Sequence, residues 1–293
     1  MTPLDYDFLR RFLKQRSGLV LTADKQYLVE SRLLPVARRV GHDGLAKLVE
    51  KLRGGGDEAL ATAVVEAMTT NESFFFRDKV PFEHFRNIVM PALIAARQNA
   101  RAIRIWCAAA STGQEPYSLA MALRQMAREI AGWRIEILAT DLSGEVLHKA
   151  RQGLYTQFEV QRGLPIQLLV EYFTQVGERW QIAPELRGMV RFQQLNLLSD
   201  FFHLGTFDLI FCRNVLIYFD QPTKIDVLER LAQVTATHGF LVLGAAETVV
   251  GLTDRFKVVG DRHGLYAPAG MSAAKPPAAR TAPRLVAVNG AAS

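Results

Sequence analysis

Between Ile103 and Leu243 the chain alternates short apolar runs with amphipathic segments of helical length, and this alternation restricts the fold more than any other feature. The runs are Ile103–Cys107, Ile135–Thr140, Leu209–Cys212 and Phe240–Leu243; helical periodicity covers 115–130, 143–151 and 222–236. Strands joined by helices run parallel, because a tight turn cannot return the chain to a parallel neighbour. Their near-continuous apolar character fits a sheet covered on both faces, so a doubly wound α/β sheet is expected.

The alternation breaks at 170–195. GluTyrPheThrGlnVal, GluArgTrpGlnIle and MetValArgPheGln are short alternating stretches separated by Gly177 and a 183–188 loop, and they predict a small antiparallel β-flap inserted near 170–195. Residues 1–68 carry helical periodicity alone, predicting an all-α domain. Thr2 and Pro3 form an N-cap followed by proline at the first helical position. Phe8, Leu9 and Phe12 repeat at helical spacing. Thr22 caps a second helix to about Val40, with Tyr27, Leu28, Leu33, Leu34 and Val36 as its apolar positions and Pro35 kinking or ending its first half. Asp43 precedes a third helix stopped by the glycines at 54–56, and a fourth covers 57–68. An Ala/Pro-rich segment, 269–293, reads as a disordered tail.

The formal net charge of +6 raises the question of nucleic acid, and its distribution answers it. Half the excess is Lys275, Arg280 and Arg284 in the tail; another concentration is Lys25, Arg32, Arg38 and Arg39 against Glu30. No basic surface over a catalytic region results, so no nucleic-acid partner is expected, while one basic helix can meet an acidic partner. Cys107 and Cys212 sit in apolar runs and read as reduced core thiols. No metal-ligand spacing occurs. No apolar run spans a bilayer, and the N-terminus lacks the order of a secretory signal, so a cytoplasmic protein without direct membrane insertion is expected.

In an open α/β sheet, ligands lie outside the carboxyl ends of the strands. The first apolar run is followed by small residues up to Gly113 and a helix start, the second by Asp141, the third by ArgAsnValLeuIleTyrPhe. Asp141 has two readings, an N-cap of the next helix or an acceptor for ribose hydroxyls. Neither GxGxxG nor GxxxxGK[ST] is present, which disfavours dinucleotides and ATP. A nucleoside cofactor without phosphates, of which S-adenosylmethionine is the common one, fits better.

Five words then stand in order: ThrThrAsnGluSerPhePhePheArgAsp (69–78), AlaAlaAlaSerThrGlyGlnGluProTyrSer (108–118), AlaThrAspLeuSer (139–143), AsnLeuLeu (196–198) and PheCysArgAsnValLeuIleTyrPheAsp (211–220). Together with the helical domain and the flap they closely resemble the CheR family of chemotaxis receptor methyltransferases, over about residues 5–267. The resemblance implies a Rossmann-like, class I methyltransferase sheet over 79–268. It implies a receptor-docking helical domain over 1–68, and a linker, 69–78, that contributes to the cofactor site.

The resemblance also implies that S-adenosylmethionine is bound by Asn71, Ser73, Arg77, Glu115, Asp141, Asn196, Leu197, Arg213 and Asn214, leaving S-adenosylhomocysteine as product. Arg77 suits the methionine carboxylate, Asp141 the ribose diol and Glu115 the ammonium, although Glu115 equally suits a first helical turn. Arg77 and Tyr218 are the implied catalytic residues, Tyr218 lying near the transferred methyl, with a plain packing role as its alternative. The substrate implied is a glutamate side chain in the cytoplasmic helical region of chemoreceptors, docked on Arg32, Arg38 and Arg39 by a monomeric enzyme. Two alternatives remain: the same chemistry on receptor-like proteins of another signalling system, and a non-catalytic cofactor-binding regulator. Phe74, Phe75 and Phe76 read as core packing. Ser73 and Gln114 depart from the threonine and glutamate common in the family. In some relatives the flap holds a receptor-tethered peptide; the tight turn at Val176–Glu178 leaves that contact unassigned here.

Overall fold

A computed structural model describes residues 1–271; the tail expected to be disordered lies, from 272 onward, outside the described residues. The N-terminal part is four helices, α1 (Pro3–Ser17), α2 (Gln26–Arg39), α3 (Leu45–Gly54) and α4 (Glu58–Met68). Thr2 caps α1 in a full capping box with Asp5, and Gly55 ends α3 with φ 68°, where a side chain would be strained. The helices close over their own apolar core of Leu9, Leu13, Val29, Leu33, Leu48 and Val64. Three expectations change here. Helix α2 does not end at Pro35, because the ring lies on its exposed side. It starts at Gln26 after a short 3₁₀ turn rather than at Thr22. Its buried face is Val29, Leu33, Val36 and Ala37, so Tyr27 is exposed.

The linker leads through α5 (Val80–His84), a π-helical turn and α6 (Met90–Ala96) into the sheet. The chain then runs β1 (Ala102–Ala108), α7 (Gln114–Gln125), β2 (Arg134–Asp141), α8 (Gly144–Gln152), β3 (Leu154–Thr156), α9 (Gln157–Gln161), α10 (Ile166–Tyr172), β4 (Phe173–Val176), β5 (Arg179–Ile182), α11 (Pro184–Arg187) and β6 (Val190–Gln194). It closes with β7 (Phe207–Cys212), α12 (Gln221–Val234), β8 (Thr235–Leu243), β9 (Phe256–Val259) and β10 (Arg262–Pro268). The main sheet has the order β6-β2-β1-β7-β8-β10-β9, with the first five strands parallel and β10 antiparallel to both of its neighbours.

Successive residues of the central strands feed two different cores, as a period of two requires. On β1, Ile103, Ile105 and Cys107 pack on one face and Trp106 and Ala108 on the other, against Leu228 and Leu231 of α12. Cys107 and Cys212 are both buried and unpaired. The chain order reverses between β1 and β7, and a crevice opens at such a switch point.

The flap exists with different membership. Its order is β3-β5-β4, all antiparallel, and the third predicted stretch instead joins the main sheet as β6, parallel to β2. As an edge strand β6 has one partly exposed face, so its sequence alternates just as a flap strand would. The expected 183–188 loop contains α11. Among the described residues no helix is long and apolar enough to cross a membrane.

Candidate active site

A cleft of about 1000 Å³ lies over the carboxyl ends of β1, β2 and β7, between the sheet and the helical domain. It is lined by Asn71, Ser73, Arg77, Glu115, Asp141, Asn196, Leu197, Arg213, Asn214 and Tyr218, so all ten residues singled out for the cofactor or for catalysis meet in one place. Left-handed, non-glycine residues gather in the loops that build it: Ala109 (φ 62°) and Ser111 (φ 51°) after β1, and Asn214 (φ 58°) after β7. Such conformations cost of order 1–3 kcal/mol each and persist where surrounding contacts hold them.

Asp141 is the last residue of β2 and is buried. Its Oδ2 accepts the Ser111 N–H at 2.8 Å and its Oδ1 the Ser143 N–H at 3.0 Å. Burial pushes its carboxyl above the usual range, and those backbone donors oppose the shift. The N-cap reading is excluded: Ser143 caps α8, accepting the Val146 N–H. Asp141 thus ties the β1 loop to the β2 loop while facing the cleft.

Arg213 is buried too, but its charge is spent within the protein. Nη1 donates to Glu115 Oε2 at 2.7 Å, and Nη2 donates to Asp78 Oδ2 at 2.7 Å and to the Arg77 carbonyl at 3.0 Å. Burial raises the Glu115 carboxyl, opposed by the Arg213 charge. Glu115 is therefore a structural partner of Arg213 through Oε2 as well as a cleft wall. Arg77 contrasts with both. Its only side-chain hydrogen bond among the described residues runs from Nη1 to the Glu72 carbonyl at 2.8 Å, and its guanidinium lies 5.5 Å from the Phe74 ring. Phe75 and Phe76 are buried as expected, whereas Phe74 lines the cleft, 4.3 Å from the guanidinium of Arg162.

The remaining candidates are held by neighbours. Asn196 donates to the Arg16 carbonyl at 2.7 Å and accepts the Leu198 N–H at 3.0 Å, so its side chain fixes the seam with α1. Asn71 donates to Thr69 Oγ1 at 3.1 Å, and its carbonyl accepts the Ser111 hydroxyl. Leu197 is buried in the face that holds α12. Tyr218 is half-buried against that same core, and its carbonyl accepts the Val20 N–H at 3.0 Å.

Of the arginines expected to dock a partner, Arg38 and Arg39 are exposed in the last turn of α2, and neither forms an ion pair among the described residues. Arg32 is different. It donates to the carbonyls of Met68 and Thr69 at 2.8 and 3.0 Å and to Thr70 Oγ1 at 3.3 Å, gripping the linker where it enters the cleft. Sequence reasoning missed this tie and missed the cleft residues Ser17 and Leu19 from the end of α1.

Comparison with known proteins agrees with this geometry. Residues 71–265 match the family model described as CheR methyltransferase, SAM binding domain, and residues 4–69 match CheR methyltransferase, all-alpha domain. The chain belongs to the CheR methyltransferase family. Chemotaxis protein methyltransferase 1 of Pseudomonas aeruginosa is 43% identical over 87% of this chain and 94% of its own length. Chemotaxis protein methyltransferase Cher2 of Pseudomonas putida is 41% identical over the same shares. Chemotaxis protein methyltransferase 1 of Vibrio cholerae is 39% identical over 87% of this chain and 93% of its own. The chain is therefore an S-adenosylmethionine-dependent methyltransferase by family, and the region matched as its cofactor domain supplies most of the cleft's lining.

The cleft's donors and acceptors suit that cofactor. A buried carboxylate at Asp141 suits a hydroxyl pair, and an arginine fork with unspent N–H groups at Arg77 suits a carboxylate.

Proposed function

We propose that this chain transfers the methyl group of S-adenosylmethionine to glutamate side chains in the cytoplasmic helical region of chemoreceptors, forming glutamate methyl esters. The observation that carries the reading is the convergence of Arg77, Asp141, Asn214 and Tyr218 on one cleft in a CheR chain. Bound S-adenosylmethionine supplies an electrophilic methyl group on a sulfonium. The attacking glutamate, with an ordinary pKa near 4.3, is ionised at neutral pH and needs no base from the protein.

What the protein must supply is position and dryness. Asp141 takes the ribose hydroxyls, Arg77 the methionine carboxylate, and Leu197 with Phe74 the apolar surface. Glu115 and Arg213 hold each other in the wall, and the Arg77 guanidinium keeps N–H donors to spare for the carboxylate. The Tyr218 hydroxyl orients the incoming carboxylate. Arg38 and Arg39 form the exposed basic end of α2, which meets the acidic receptor helix. Arg32 holds the linker behind it.

Methyl-labelled S-adenosylmethionine incubated with the protein and soluble cytoplasmic receptor fragments tests this directly. Label that enters the fragment and is released by mild alkali, as carboxylate esters are, supports glutamate esterification. Alkali-stable label would place the methyl on another group. Absence of S-adenosylhomocysteine binding by calorimetry would overturn the enzyme reading itself.

A further inference from the structure

Glu247 lies in the turn after β8 and is buried, and its whole side-chain acceptor capacity goes to backbone. Oε2 accepts the N–H groups of Asn214 at 2.8 Å and Gly244 at 2.7 Å. Oε1 accepts those of Val215 at 2.9 Å and Ile217 at 3.3 Å. Three of the four donors belong to the loop after β7, the segment that brings Asn214 and Tyr218 to the cleft. Glu247 does not line that cleft; it borders a neighbouring hollow with Asp78, His84 and His263.

Two further features point to the same grip. Asn214 holds φ at 58°, a conformation that needs support from its surroundings, and its N–H is one of those bound. Gly244 has no room for a side chain: a Cβ there would meet Asn214 Nδ2 and Glu247 Oε2, each at 2.8 Å. The β8 turn therefore presses directly on the β7 loop. Each oxygen of the carboxyl group takes two N–H groups, an arrangement a glutamine amide cannot copy because it turns one end into a donor.

We propose that Glu247 is a positioning residue for methyl transfer, setting the 214–218 loop so that Tyr218 faces the reacting carboxylate. The inference rests on reading the cleft as the methyl-transfer site. Glutamine at 247 keeps the shape and sets an NH₂ against two backbone N–H donors, whichever way it turns. Glu247→Gln releases part of the loop without opening a cavity. Gly244→Ala keeps the carboxylate and its charge but crowds it against the loop from the other side, so it serves where the first variant folds poorly.

The test joins hydrogen exchange with kinetics. Amide exchange in the peptide spanning 211–220 is expected to speed up in both variants while the rest of the sheet keeps its protection. Turnover is expected to fall about 30-fold in Glu247→Gln but less than about threefold when Tyr218→Phe is already present, because the two residues act through one loop. Unchanged exchange in that peptide, exchange that speeds up everywhere, or the same fold-loss in both backgrounds would each overturn the proposal. A wild type that fails to bind S-adenosylhomocysteine, while the variants still loosen the peptide, would instead overturn the methyl-transfer reading on which the proposal rests.

Discussion

Asp141 and Arg213 are both buried charges at strand ends, and they illustrate how differently such a charge is used. Arg213 is neutralised by Glu115 and Asp78, so it braces the wall. Asp141 has only backbone donors and no cation among its hydrogen-bond partners. Its charge is left for a ligand. A hydrogen bond to a charged group is worth about 1.5–3 kcal/mol, so Asp141→Asn should weaken S-adenosylhomocysteine binding about 10- to 100-fold by calorimetry. The sign of the pH dependence follows from the raised pKa: burial makes Asp141 take up its proton at a higher pH than an ordinary aspartate. On acidification wild-type affinity should begin to fall above the ordinary aspartate range, while the residual affinity of the asparagine variant stays flat through that window. Tyr218→Phe removes one hydroxyl and leaves the ring in its core. Turnover should drop about 10- to 100-fold, on the same hydrogen-bond scale, with S-adenosylhomocysteine affinity nearly unchanged. Loss of cofactor binding in that variant would refute the orienting role.

Helix α2 shows what a periodic pattern can and cannot reveal about an element. Its amphipathicity gives the helix, but the apolar set included exposed Tyr27 and omitted buried Val29, because the N-terminal turn starts four residues after Thr22. Its three arginines looked equivalent, being basic residues on one helix. Arg32 in fact ends on carbonyls 36 and 37 positions further along the chain, contacts that leave no local signature. The strands show the same limit. The buried parallel strands β1, β2, β7 and β8 were legible as apolar runs, and β6 was legible as a strand but not as a member of the main sheet. The edge pair β9 and β10 was missed, its register broken between Arg262 and Tyr266. Ten of the cleft residues were named from family words, whereas Ser17, Leu19 and Glu247 were not, the last because its role is visible only through the loop it holds. The arginines now separate by experiment. Arg38→Ala with Arg39→Ala should weaken receptor methylation and flatten its salt dependence while leaving cofactor affinity intact. Arg32→Ala should lower S-adenosylhomocysteine affinity severalfold and cost about 1–3 kcal/mol in urea unfolding, because its bonds hold the linker. Equal behaviour of the two variants would refute the division.

Across the whole molecule, the helical domain is a wall of the cleft as well as a neighbour to the sheet. Asn196 reaches the Arg16 carbonyl, the Val20 N–H reaches the Tyr218 carbonyl, and Glu66 accepts the Gly144 N–H at the start of α8. Gly18, at φ 75°, sits so close to Phe219 that a Cβ would lie 2.8 Å from its ring. These contacts join segments as distant in sequence as Gly18 and Phe219, and those at Val20 and Gly18 flank the loop that carries Tyr218. A further contact across this seam is an ion pair. Asp220 caps α12 through Thr223 and pairs with Lys14 of α1 at 2.6 Å, and these contacts hold its carboxyl down at about 2 against an ordinary value of 3.8. A carboxyl whose folded pKa is depressed contributes stability that is fully present above the unfolded value and is lost as pH falls through the folded one. Asp220→Asn, which keeps a capping oxygen but no charge, should therefore be less stable than wild type near neutrality. The difference is expected to be about 0.5–1 kcal/mol, the range of a solvent-screened pair. Urea midpoints measured at descending pH should show it shrinking from about pH 3.8 and vanishing near pH 2. A difference that persists unchanged at the acid end would mean that Asp220 acts as a cap alone, and that the Lys14 pair does not hold the helical domain to the loop that carries Tyr218.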